Sequence, residues 1–173
     1  MLVVADTGPL RYLIEVQTID VLPRLYGQVL TTPQVIGELG LPHFPDVVRA
    51  WANRPPTWLR VTAPAAIQFV DRLHEGEASA LSLACECSAG LVLIDDRDGS
   101  VVARANGLET LGTLGVLREA GAREYLDFDV AIRALGHTRF RCTPQLIDAA
   151  RRQFEALRSD LRAQGIRTES TEP

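Results

Sequence analysis

The chain has 173 residues, 46% of them apolar and 23% charged, the proportions of one ordinary globular domain able to bury a core. A formal charge of −4 lays no electrostatic footprint for nucleic acid, unless the acids gather in a single metal-binding cleft. No apolar run approaches the ~20 residues of a membrane span. Residues 2–5 are too short and lack the basic flank of a signal segment, so a cytoplasmic protein is expected.

The first element is LVVA at 2–5, consecutive apolar residues as in a strand covered on both faces. Gly8-Pro9 breaks it, and LRYLIEV and TIDVLPRLYG then predict two short helices. GQVL at 27–30 predicts a second strand. Thr32-Pro33 is a helix start, a hydroxyl N-cap followed by proline at the first helical position, and Gly40-Leu41-Pro42 stops that helix. FPDVVRAWANR predicts another helix, and WLRV at 58–61 a short strand. HEGEASALSLACECSAG is a helix whose small residues allow close approach to a sheet; LVLI at 91–94 is the third buried strand. DDRDGSVVARANG leads into a helix with Val101, Val102 and Ala105 inward, and LETLGT is extended. TLGVLREAG, 127–136 and 143–163 are helical, and residues 164–173 form a polar, disordered tail beyond a single domain at 1–163. Cys85, Cys87 and Cys142 lack metal-finger spacing and are read as half-buried thiols in a reducing compartment.

Strands alternating with helices argue for a three-layer α/β/α sandwich around a mainly parallel sheet. That pattern decides against one reading of Asp6-Thr7-Gly8. An aspartic protease is nearly all β and needs a second such triplet or a dimer to supply it. In open α/β sheets ligands bind beyond the carboxyl ends of the strands, and two strands here end in acid: Asp6, and the pair Asp95-Asp96. Glu38, in the last turn of the helix after strand two, and Glu77, in the first turn of the helix before strand three, can join them. Several carboxylates in one cleft repel unless a cation neutralises them, and hard divalent ions take oxygen ligands. Structural readings stand beside this one. Strand-end acids also cap helices, Asp95 being the expected cap or solvent-facing partner of its pair, and Glu77 suits a helix N-terminus through the dipole. Asp98 is read as a turn residue, Glu75 as solvated, and His43, His74 and His137 as surface or satisfied core residues.

With these acids assembled, the chain resembles a PIN domain, the nuclease fold of VapC-type toxins, and within it a PIN-like branch of small prokaryotic proteins. The resemblance runs over about residues 2–155. It is carried by VVADTGPLRYLIEV, TPQVIGEL, LHEGEASALSLA, LVLIDDRDGSVVARANGL, LGTLGVLREA and FRCTPQLIDAARR. It implies an acidic cluster of Asp6, Glu38, Glu77 and Asp96 binding Mg²⁺ or Mn²⁺, with Asp95 the fallback for Asp96, and metal-dependent cleavage of RNA. Asp6 and Asp96 would hold the ion, with Glu38 and Glu77 completing the shell or orienting water. A small antitoxin and a homodimer are implied partners. Arg11, Arg97 and Arg104 lie near the acidic edge as candidate phosphate contacts. The chain departs from the family at three places: Gly8 replaces a hydroxyl residue, Glu77 stands where many members have aspartate, and Ile94 replaces threonine or serine. The alternative to a toxin-type endoribonuclease is a non-catalytic PIN-like module that binds RNA or protein. An aspartyl-nucleophile phosphatase would want a second aspartate where Gly8 stands.

Overall fold

A computed structural model describes residues 1–164. They form two compact units, Met1–Thr113 and the segment from Leu114 onward. The tail read as disordered lies, Gln164 apart, outside the described residues.

The first unit is built on a five-stranded sheet, every pairing parallel, in the order β3-β2-β1-β4-β5. The strands are β1 (Val3–Ala5), β2 (Val29–Thr31), β3 (Leu59–Val61), β4 (Leu91–Leu93) and β5 (Thr110–Leu111). Each of β1, β2 and β4 is buried along its whole length, as the unbroken apolar runs require of strands covered on both faces. Register sets Val3 beside Val29 on one side and Leu91 on the other, and Ala5 beside Leu93. The amide of Asp6 continues the ladder by donating to the Leu93 carbonyl at 2.9 Å.

Helices α1 (Thr7–Glu15) and α2 (Val21–Tyr26) connect β1 to β2, and α3 (Pro33–Leu39) and α4 (Asp46–Ala52) connect β2 to β3. These connections step outward in one direction. From β3 the chain returns through α5 (Glu75–Glu86) to β4 and continues through α6 (Arg97–Ala105) to β5, stepping in the opposite direction. Right-handed crossovers that step in opposite directions lay their helices on opposite faces, which gives the three layers. The direction reverses between β1 and β4, so the topological switch point opens at the strand ends that carry Asp6 and Asp95-Asp96.

Local chemistry explains the helix starts. Thr32 caps α3 by accepting from the Val35 amide, with Pro33 at the first helical position. Helix α5 is buried over Gly76 and Ala78–Ala84 apart from Glu77, and its alanines and serines let it pack against β1 and β4. In α6 the inward residues are Gly99 and Ala103, one turn apart, while Val101 is 57% exposed. The sequence places Val101, Val102 and Ala105 inward; Val102 is half-buried, Val101 and Ala105 are exposed, and the start set by the Asp96 cap rotates the face onto the glycine and alanine positions.

The second unit contains α7 (Thr113–Ala122) from its second residue on, α8 (Phe128–Gly136) and α9 (Pro144–Ala163). Phe128 of α8 and Phe154 of α9 stack with ring centroids 4.6 Å apart. A side chain at Gly121 would meet the Phe128 Cβ at 2.8 Å, so only glycine lets α7 approach that pair. Among the described residues, no helix is long and apolar enough to cross a membrane.

Candidate active site at the strand switch point

Asp6 is the N-cap of α1 and is 4% exposed. Its Oδ2 accepts a long contact from the Gly8 amide, 3.5 Å, and its Oδ1 is buried with no hydrogen-bond partner among the described residues. Burial pushes the Asp6 carboxyl up from 3.8 to about 7, and the negative charges of Glu77 and Glu38 push the same way, against the Thr7 and Gly8 amides. An orphaned, desolvated carboxylate oxygen is costly unless something fills its lone pairs.

Glu38, in the last turn of α3, is held from two sides. Thr7 Oγ1 donates to its Oε2 at 2.5 Å and the Gly76 amide donates to its Oε1 at 2.8 Å. A Cβ on Gly76 would collide with this carboxylate, so glycine at the second position of α5 is what lets Glu38 reach the helix N-terminus. The positive end of α5 compensates the unfavourable position of this anion at the end of α3. Buried hydroxyls fix the two helices relative to one another. Thr32 and Ser79 share a hydrogen bond of 2.7 Å, and Ser79 donates to the Gly76 carbonyl at 2.8 Å.

Glu77 is half-buried in the first turn of α5, where its Oε2 accepts from the His74 amide at 3.2 Å. Its carboxyl is raised, first by burial and then by the charge of Asp96, with Glu38 adding to the effect. Asp6, Glu38, Glu77 and Asp96 therefore form a chain of mutually repelling carboxylates around the switch point.

The Asp95-Asp96 pair divides its labour differently from the expectation that Asp95 caps or faces solvent. Asp96 is the exposed residue and the N-cap of α6; its Oδ2 accepts from the Asp98 and Gly99 amides at 2.7 and 2.9 Å. Asp95 is half-buried and turns onto Thr113, whose amide and hydroxyl donate at 2.7 and 2.6 Å. Burial raises the Asp95 carboxyl, and these two Thr113 bonds oppose the shift. A Cβ on Gly8 would stand 3.2 Å from Asp95 Oδ2, and one on Gly112 would stand 2.8 Å from Oδ1. Two glycines thus make room for the Asp95 carboxylate, and the space of the missing hydroxyl at position 8 is taken by it.

Among the described residues no three Asp, Glu, His or Cys side chains stand as a ready metal site. The reason is visible in the contacts: Glu38, Glu77 and Asp96 each give an oxygen to a helix amide. The donor set nonetheless suits a hard divalent cation. It consists of oxygens alone, it repels itself, and Asp6 presents an unfilled one.

Of the arginines proposed near this edge, Arg97 is exposed and, among the described residues, makes no hydrogen bond or ion pair. Arg11 is paired with Glu15 at 2.6 Å and lies over the Tyr12 and Phe44 rings, and Arg104 donates to Thr110 at 3.1 Å. Thr7, Gly76 and Thr113 organise the site and were not singled out by sequence reasoning. A hydroxyl directly after Asp6 and a glycine inside the first turn of α5 were the available signals. The three histidines are exposed and the three cysteines are free and half-buried.

The family model DUF3368, a PIN domain, matches residues 2–156. No curated protein matches the chain, and no solved structure does.

Proposed function

The chain belongs to the PIN-domain family, whose members are generally nucleases and typically bind divalent metals, and from that premise we propose a metal-dependent endoribonuclease of toxin–antitoxin type. The observation that carries this reading is the buried Oδ1 of Asp6 at the strand switch point, without a hydrogen-bond partner among the described residues, with the charges of Glu77 and Glu38 acting on Asp6 and that of Asp96 on Glu77. Asp6, Glu77 and Asp96 would hold Mg²⁺ or Mn²⁺; Asp95, both oxygens of which are bonded to Thr113, is the weaker choice. When bound, such an ion offsets the charge that develops on a phosphodiester under in-line attack.

The chain's own groups do the rest. Glu38 cannot swing away, because Thr7 and Gly76 grip it, and so it offers a fixed acceptor for a proton of an attacking water. Asp96 stays locked to the amides of α6, and Asp6 is held by the closed packing around β1. A rigid set of this kind positions substrate without reorganising during the reaction. Arg97, exposed and next to Asp96 in the chain, would meet a substrate phosphate. A small antitoxin that covers the cleft and a homodimeric state belong to the same reading.

The test is Mn²⁺-dependent degradation of single-stranded RNA, with Asp6→Asn as the control. Growth arrest on induced expression, relieved by the same substitution, extends it. Intact RNA with wild-type protein and Mn²⁺ would overturn the reading. One observation favours a second function, a non-catalytic module: each of the four acids accepts from an amide at a helix start, and among the described residues no three Asp, Glu, His or Cys side chains stand as a metal site. Calorimetric titration with Mn²⁺ separates the two, since a module without a metal site shows no binding heat.

A further inference from the structure

We propose that an open groove between α8 and α9 binds the phosphate backbone of single-stranded RNA and so anchors the substrate; this rests on the ribonuclease reading above. The groove is walled by Phe154 and Phe128 and rimmed by Arg133, Arg151 and Arg152, with Asp129 and Glu155 as its acids. Asp129 is already answered by Arg151 at 3.2 Å. Arg133 and Arg152 are exposed and, among the described residues, make no hydrogen bond or ion pair; the same holds for Arg139 and Arg141 in the segment that joins the two helices. Arg158 lies over the Phe154 ring at 5.9 Å, adding a further guanidinium beside the same aromatic wall.

Charge is divided unevenly along the chain. Residues 1–113 carry thirteen acidic residues against eight arginines, and residues 114–164 carry seven against nine. A polyanion is repelled by the first segment, which holds the carboxylates of the candidate site, and must be held elsewhere until a cation screens them. All 18 basic residues of the chain are arginine. The guanidinium fork donates two parallel hydrogen bonds to a phosphate, a geometry the ammonium of lysine lacks. The groove is also the wrong surface for an apolar helix or peptide. Phe128 is 3% exposed and Phe154 is half-buried, so the two rings offer little area to an apolar segment, while the rim of arginines suits the positively charged interfaces that nucleic acids take.

The experiment uses the full chain in EDTA, so that binding is read without cleavage. Anisotropy of a fluorescein-labelled single-stranded RNA is followed across a salt series for three proteins. These are wild type, Arg133→Gln/Arg152→Gln, and Arg54→Gln/Arg60→Gln, whose arginines are exposed in the first unit and unpaired. We expect the groove variant to bind about tenfold more weakly. Its slope of log affinity against log salt should be shallower by about 1.4, two phosphate contacts at about 0.7 each for a single strand. The control should match wild type. Equal affinity and slope in all three proteins, or no binding by wild type, overturns the proposal. So does displacement of the RNA by a polyglutamate peptide at matched charge concentration, which would make the groove a dock for acidic protein. A parallel Mn²⁺ cleavage assay keeps the two readings apart: binding through the groove without cleavage sinks the ribonuclease reading, and cleavage with unaltered binding of the groove variant sinks this one.

Discussion

Replacing Asp6 by Asn removes a charge that the fold does not accommodate. Burial raises the Asp6 carboxyl from 3.8 to about 7, a little over three units. At about 1.36 kcal/mol per unit, the ionised side chain costs the folded state about 4 kcal/mol as an upper figure. The direction with pH follows from the proton count. Below about 4 both folded and unfolded chains hold the proton and the penalty is absent. Between about 4 and 7 only the folded chain holds it, so stability falls as pH rises; above about 7 the penalty is complete. Local relaxation and the unpaired amide of Asn reduce the gain, leaving about 1–3 kcal/mol at pH 8, or a Tm higher by about 2–10 °C for a chain of this size. Thermal melts of both proteins in EDTA at pH 4.5 and pH 8 measure it, and the difference between them should grow with pH. Added Mn²⁺ should then raise the wild-type Tm more than that of the variant. A difference that stays constant with pH, or a variant less stable at pH 8, would refute the electrostatic argument.

Other substitutions probe the groups that hold the acids. Gly76→Ala should lower stability by about 1–2 kcal/mol although alanine is the better helix former, because the new methyl displaces Glu38 from the α5 amide; chemical denaturation checks this. Asp96→Ala should cost about 1 kcal/mol in the same assay, since the lost cap of α6 outweighs any relief of repulsion at an exposed carboxylate. Thr113→Val leaves Asp95 with the backbone donor alone, and should cost about 1–2 kcal/mol while moving the Asp95 carboxyl further upward. Carboxyl-carbon NMR titration reads that shift, and an unmoved Asp95 would show that the hydroxyl contributes nothing.

Much of the architecture was legible because it depends on local signals. Unbroken apolar runs marked β1, β2 and β4, and Thr32-Pro33 marked the start of α3. The parallel arrangement followed from alternation, and with it the placing of Asp6 and the Asp95-Asp96 pair at carboxyl ends of strands; that those two strands are neighbours appears only in the sheet. What escaped was orientation at a resolution of one residue. Asp95 and Asp96 are chemically identical, and only the register of β4 and the first turn of α6 decide which one caps and which turns toward Thr113. The inward face of α6 likewise moved by two positions, from Val101 and Ala105 to Gly99 and Ala103, with Val102 half-buried between them. Gly8 read as a lost hydroxyl, whereas the packing makes it the space that Asp95 requires. The grip of Gly76 on Glu38 joins residues 38 apart, and no spacing rule reveals it.

The central position of β1 has a consequence for how the molecule comes into being. Its first strand sits between partners made from residues 29–31 and 91–93, so the sheet stays open until synthesis has passed β4. A nascent chain released short of that point would own Asp6, Glu38 and Glu77 yet lack the neighbour that closes the switch point. The cleft is thus complete only once the tenth decade of the sequence has been made, and every product truncated before it lacks Asp95, Asp96 and the strand that leads to them.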